Sequence, residues 1–170
     1  MKDEIVNKVE KRGIINIDLT DYAPKKIIIE LDIADFLFQK LILKEKDFRT
    51  KLEKTDWEIY KDKIITLICS ADCIIPMWAY MLITSVLNKN NIDVYYGKKT
   101  EIFNNIFIEN IKNINTFDLR NQRIIVKGCG NIKVPEKAYM EITKKLQPIV
   151  KSLMFGEACS AVPVYKKNEP

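Results

Sequence analysis

The residues of this chain best equipped for chemistry are its four cysteines, Cys69, Cys73, Cys129 and Cys159. Histidine is absent, so His-dependent triads, imidazole acid–base work and histidine metal ligands are excluded, leaving thiol, carboxylate, amine, phenol and hydroxyl. The cysteines form no C-x-x-C pair, and the separations of 60 residues (Cys69 to Cys129) and 30 residues (Cys129 to Cys159) fit no zinc-ribbon or ferredoxin pattern. Linear spacing is a poor test in an α/β fold, however, because open parallel sheets build their sites outside the carboxyl ends of the strands. Cys69 ends one strand-like run, Cys129 ends another, and Cys159 lies just past a third. Three thiols meeting there would bind zinc, an iron–sulfur unit or copper(I) in preference to magnesium or calcium. Against this stands the ordinary behaviour of free cysteine, which packs as a small hydrophobe.

The surrounding segments add polar groups. In CSADCIIP (69–76), Ser70 and Asp72 precede a helix and can cap its free N–H groups, and the same helix end would favour a Cys69 thiolate. Simple capping is the blander reading. In KGCGN (127–131), Gly128 and Gly130 flank Cys129 and permit a tight turn or the close approach of a ligand, without any G-x-G-x-x-G or Walker pattern. In MFGEACS (154–160), Glu157 precedes Cys159 as an extra ligand or proton carrier. Lys44, Asp47 and Arg49 read as a solvated helix start, and Trp78 and Tyr80 as core aromatics.

These residues must be positioned by strands and helices whose periodicity is visible in places. Residues 3–11 read as a short charged helix stopped by Gly13, IINIDL (14–19) and KIIIELDI (26–33) as extended runs, and DYAP (21–24) as a turn. ADFLFQKLI (34–42) and KEKDFRTKLEKT (44–55) have helical spacing, and TDWEIY (55–60) an N-cap and first turn. From residue 63 onward apolar strands, KIITLIC (63–69), IDVYYG (92–97), RIIVKGC (123–129) and IVKSLMF (149–155), alternate with helices at 76–90, 99–112 and 134–147. Pro76 suits the first helical position. Alternation of this kind means βαβ units. The expected fold is therefore α/β, a mostly parallel sheet over 63–155 with helices on both faces, preceded by an α+β N-terminal segment. GEACSAVPVYKK reads as a closing loop, and no fixed-period repeat or low-complexity linker is evident.

The length of 170 residues predicts a single α/β domain over 1–165 with a disordered tail at 166–170. A net charge of +5 and 9% aromatics give no reason to expect nucleic acid as a partner. The charge is uneven, net −1 over 1–62 and +6 over 63–170, but the later lysines are scattered. Ile64–Leu87 carries one formal charge, Asp72, and is long enough to span a bilayer. A central aspartate costs about 2.5–3.5 kcal/mol on insertion scales, and Ser70 and Pro76 break the run, so a buried strand, turn and helix are expected instead of a membrane span. MKDEIVNKVEKRG has no apolar h-region, which makes the cytoplasm the expected location.

EIVNKVEKRGIINIDLTDY, LILKEKDFR, CSADCIIPMWAYML, VKGC and MFGEACSAVPVYK together resemble a bacterial uncharacterised family, domain of unknown function 2480, over nearly the whole chain. The resemblance implies that CSAD, KGC and GE-x-CS are hallmark segments, which carry over to Cys69, Ser70, Asp72, Cys129, Glu157, Cys159 and Ser160. Cys73 stands where a small apolar residue is usual, and Ala158 where proline is usual. The resemblance also implies a gene neighbourhood shared with iron–sulfur assembly genes of the SUF type, and hence iron–sulfur assembly proteins as partners. The expected function is thus a metal- or iron–sulfur-binding accessory protein serving cluster assembly, transfer or thiol redox. Its metal ligands would be Cys69, Cys129 and Cys159, with Ser70, Gly128, Gly130 and Ser160 lining the cofactor. One alternative is an enzyme with a cysteine nucleophile acting on a small anionic substrate, its catalytic candidates being Cys69, Asp72 and Glu157. The other is an interaction module with inert buried thiols.

Overall fold

The computed structural model describes residues 13–128 and 130–167. The charged segment 3–11 and Cys129 lie outside the described residues. Among the described residues seven strands and four α-helices follow one another. They are β1 (Ile14–Asp18), β2 (Ile28–Asp32), α1 (Glu45–Lys54), β3 (Ile64–Ile68), α2 (Met77–Lys89), β4 (Asp93–Tyr96), α3 (Lys99–Lys112), β5 (Arg123–Lys127), α4 (Glu136–Leu146), β6 (Ser152–Phe155) and β7 (Val162–Lys166). Two sheets result, with strand orders β1-β5-β6-β7 and β2-β3-β4; all pairings are parallel except β6 with β7. The α/β class is as the sequence predicts, but the strands after residue 63 divide between two sheets, each completed by one N-terminal strand.

The chain separates into two compact units. The first comprises residues 1–23 and 105–170, and the second comprises 24–104. Each is a strand followed, after an interval, by a βαβ crossover, and they match residue for residue. Ile28 pairs with Ile64 and Ile64 with Asp93 in the second; Ile14 pairs with Arg123 and Arg123 with Ser152 in the first. From α1 onward, residue i of the second unit corresponds to residue i + 59 of the first; the N-terminal strands are offset by 14. Pro-x-x-Ala-Tyr-Met-x-Ile-Thr occurs at 76–84 and again at 135–143. The absence of a repeat expected from the sequence is therefore corrected.

The correspondence extends to local chemistry. Asp18 and Asp32 end β1 and β2, and each carboxylate accepts the N–H two residues on, from Thr20 at 3.0 Å and Ala34 at 2.9 Å, to cap a short 3-10 turn. Asp56 and Asn115 do the same for Glu58 and Phe117. Asp62 and Asn121 both adopt left-handed φ, 59° and 58°, before their strands, a conformation these short polar side chains tolerate. Pro76 and Pro135 are the N-caps of α2 and α4, one position earlier than expected for Pro76, and their carbonyls accept from Ala79 and Ala138 N–H, each at 2.9 Å. Phe48 and Phe107, Ile65 and Ile124, and Leu87 and Leu146 are buried pairs. Burying such side chains contributes roughly 1.5–3 kcal/mol each.

Two further expectations are corrected. The helical spacing of 34–42 does not make a helix. The Asp32-capped turn ends at Phe36, and Gln39 and Lys40 in left-handed conformation fold Phe38 back to pair with Ile42. The closing loop contains β7, whose Pro163 is tolerated because the strand lies at the sheet edge. No described helix is long and apolar enough to cross a membrane.

Candidate thiol site

The carboxyl ends of β2 and β3 bring Asp32, Cys69 and Cys73 to one edge of the second unit. Cys69 and Cys73, both half-buried, face one another across the turn that links β3 to α2. The Cys69 Sγ lies 3.6 Å from the Ala71 carbonyl oxygen, and the Cys73 N–H donates to that same oxygen at 3.0 Å. Burial pushes the Cys73 thiol up from its ordinary value. The adjacent Cys69, in hydrogen-bonding reach, and the Asp72 charge push it the same way. Tyr80, one turn into α2, is also pushed up, first by burial and then by Tyr96, Cys69 and Cys73. Tyr80, Cys69 and Cys73 all pack, partly buried, against the same apolar core.

Asp32 fixes the turn from the neighbouring strand. It accepts the Ser70 N–H at 3.0 Å as well as the Ala34 N–H. Burial alone would raise its carboxyl pKa, but the Ser70 hydroxyl, these two N–H groups and Lys40 together hold it below the usual value. Ser70 is thus a structural partner of Asp32. Asp72 is exposed and next to Cys73.

The corresponding place in the first unit is built differently. Lys127, ending β5, lies 3.2 Å from Glu157 and 4.0 Å from Asp18. Gly128 occupies the position equivalent to Cys69, and there a Cβ would come within 2.2 Å of the Tyr139 hydroxyl. Glycine is needed for that close approach. Gly130 is exposed beside Thr20. By sequence Cys129 corresponds to Ser70. Cys159 and Ser160 are exposed in the β6–β7 turn, which the Ser160 N–H closes on the Glu157 carbonyl at 2.9 Å; the Cys159 Sγ lies 4.0 Å from Ser160 Oγ.

The single sheet edge on which the sequence gathered Cys69, Cys129 and Cys159 is in fact two edges. Cys69 follows a strand of one sheet and Cys159 a strand of the other. Among the described residues no group of three cysteine, aspartate or glutamate side chains is arranged to hold a metal ion. What the sequence reading missed is Cys73, set aside because a small apolar residue is usual there, and Tyr80, taken as core. The doubled Ala-Tyr-Met at residues 79–81 and 138–140 was the available signal for Tyr80.

The fold and the thiol pair define an α/β protein of two related βαβ units with a dithiol at one sheet's carboxyl edge. The chain belongs to the family described as protein of unknown function DUF2480, whose profile matches residues 3–167. No curated protein and no solved structure matches the chain.

Proposed function

We propose that the protein is a thiol-dependent accessory factor that handles a soft metal ion or an iron–sulfur unit, with Cys69 and Cys73 as its binding pair. The observation that carries this reading is the two facing thiols in a turn held by Asp32, next to Tyr80. Thiolate pairs select zinc, copper(I) or iron–sulfur units over hard cations. Two protein ligands leave the remaining positions of a tetrahedral ion to solvent or a donor's thiols, as transfer requires and a closed structural site does not permit. Loading replaces two S–H bonds by two metal–sulfur bonds and releases two protons to solvent. Because both thiols must lose their protons to bind the metal, loading strengthens as pH rises.

The test is anaerobic purification followed by metal and acid-labile sulfide analysis and zinc titration of the metal-free chain. One zinc per chain, lost in Cys69→Ser and in Cys73→Ser with far-UV circular dichroism unchanged, is the expected result. Wild-type loading in both variants would overturn it. Cys129→Ser and Cys159→Ser report whether the thiols of the first unit also take part.

A further inference from the structure

The two units differ most at one sheet edge. In the first, β6 is covered by β7, which runs antiparallel with Phe155 opposite Val162 and Leu153 opposite Tyr165. Val164 of β7 lines an apolar groove of about 340 Å³ with Tyr139, Thr143 and Phe155. The second unit has the same groove, about 420 Å³, lined by the equivalent Tyr80, Thr84 and Tyr96. Even the ring geometry is repeated: Tyr139 meets Phe155 edge-on at 5.7 Å, and Tyr80 meets Tyr96 edge-on at 5.6 Å. Yet among the described residues β4 pairs only with β3, and no strand stands where β7 does. Tyr96 is 70% exposed and Met77, on the groove's rim, 71%. A bare apolar edge is a template for another strand.

We propose that a second copy of this chain covers it, β4 pairing antiparallel with β4 of the partner to make one continuous sheet from two second units. The register follows from the main chain. Gly97 N–H donates to the Leu67 carbonyl of β3 at 3.1 Å, so by the two-residue alternation Tyr95 also faces β3, while Val94 and Tyr96 present their N–H and C=O groups outward. An antiparallel pair centred on Tyr95 sets Val94 opposite Tyr96 of the partner, twice over. Both are then hydrogen-bonded positions, as the self-complementary interface of a two-fold dimer demands. The charges agree. The strand runs from Asp93, half-exposed and already 2.7 Å from Lys26, to Lys98 and Lys99, so antiparallel pairing sets no like charges opposite one another and turns the acidic end of each copy toward the basic end of the other. The tyrosines of both copies, with Met77, close over the groove as Val164 does in the first unit.

The experiment is sedimentation velocity of the full chain over a concentration series under reductant, for the wild type and for Tyr96→Pro. That substitution removes an outward N–H and leaves the β3–β4 ladder intact. A reversible species of twice 19.8 kDa is expected, its dissociation constant raised roughly tenfold or more in Tyr96→Pro by the lost main-chain bond and ring contact. A second arm is independent of how Tyr96→Pro folds. In Tyr95→Cys oxidised with glutathione disulfide, the two central residues should form a disulfide across the dimer, found by peptide mapping, because Cα atoms of a non-hydrogen-bonded antiparallel pair lie about 4.5 Å apart. A chain that stays monomeric, or a dimer indifferent to Tyr96→Pro that forms no cross-link at residue 95, overturns the proposal. So does a monomer that instead binds a synthetic copy of residues 161–167 along β4.

Discussion

The two units share a framework but carry different chemistry at its carboxyl edge. In the second, the position after β3 is Cys69, with Cys73 facing it and Tyr80 alongside. In the first, that position is Gly128 with the Tyr139 hydroxyl packed over it, and the nearby charges are Lys127, Asp18 and Glu157. The buried pairs, capping carboxylates and left-handed turn residues are common to both. These are the features that fix strand register and helix entry, so the fold depends on them. The loops that follow β3 and β5 do not carry those shared features, and there the units diverge, as expected when loops on a rigid scaffold carry function.

The comparison is open to experiment. The largest effect should come from its deepest shared feature. Phe48→Ala and Phe107→Ala each remove a fully buried ring at equivalent positions, and each should lower unfolding free energy by about 3–5 kcal/mol. Denaturant titration checks this, and a loss confined to one of the two would break the equivalence.

A smaller and opposite-handed pair probes the divergence. Gly128→Ala forces Tyr139 and Val134 aside and should cost about 1–3 kcal/mol by overpacking, whereas Cys69→Ala trims a half-buried thiol and should cost less than about 1 kcal/mol. Thermal melts that rank the two the other way would show that the edges are packed alike.

An effect of similarly small size concerns the caps. Asp18→Ala and Asp32→Ala each lose a capping carboxylate, with a penalty of about 1 kcal/mol. For Asp32 this is pH-dependent. Its folded pKa lies below the ordinary value, set by Ser70, Ala34 and Lys40 against the opposing effect of burial. The contribution is therefore complete above the ordinary aspartate pKa and is lost as pH falls through the lower folded one. The gap between wild type and Asp32→Ala should narrow in acid; a gap constant from neutral pH to below the aspartate range would mean that the charged carboxylate contributes nothing.

Much of this architecture can be read locally. The apolar runs that became β3 and β5, and the periodicity that became α3, lie within single windows of sequence. Which strands share a sheet is not local, because β1 finds its partner in β5, whose Arg123 pairs with Ile14 far along the chain. The duplication is hidden for a related reason: its N-terminal strands are close together while the rest of each unit is widely spaced, and only the Pro-x-x-Ala-Tyr-Met-x-Ile-Thr segment keeps obvious identity. Pro163 masked β7, and the unusual identity of residue 73 masked its place beside Cys69.

Site-resolved alkylation tests the central claim most directly. The metal-free chain is treated with iodoacetamide with and without one equivalent of zinc, and each cysteine is quantified by mass spectrometry. Zinc should protect Cys69 and Cys73 together and to the same extent, with protection increasing as pH is raised. Both thiols reacting at unchanged rates in the presence of zinc would contradict the account.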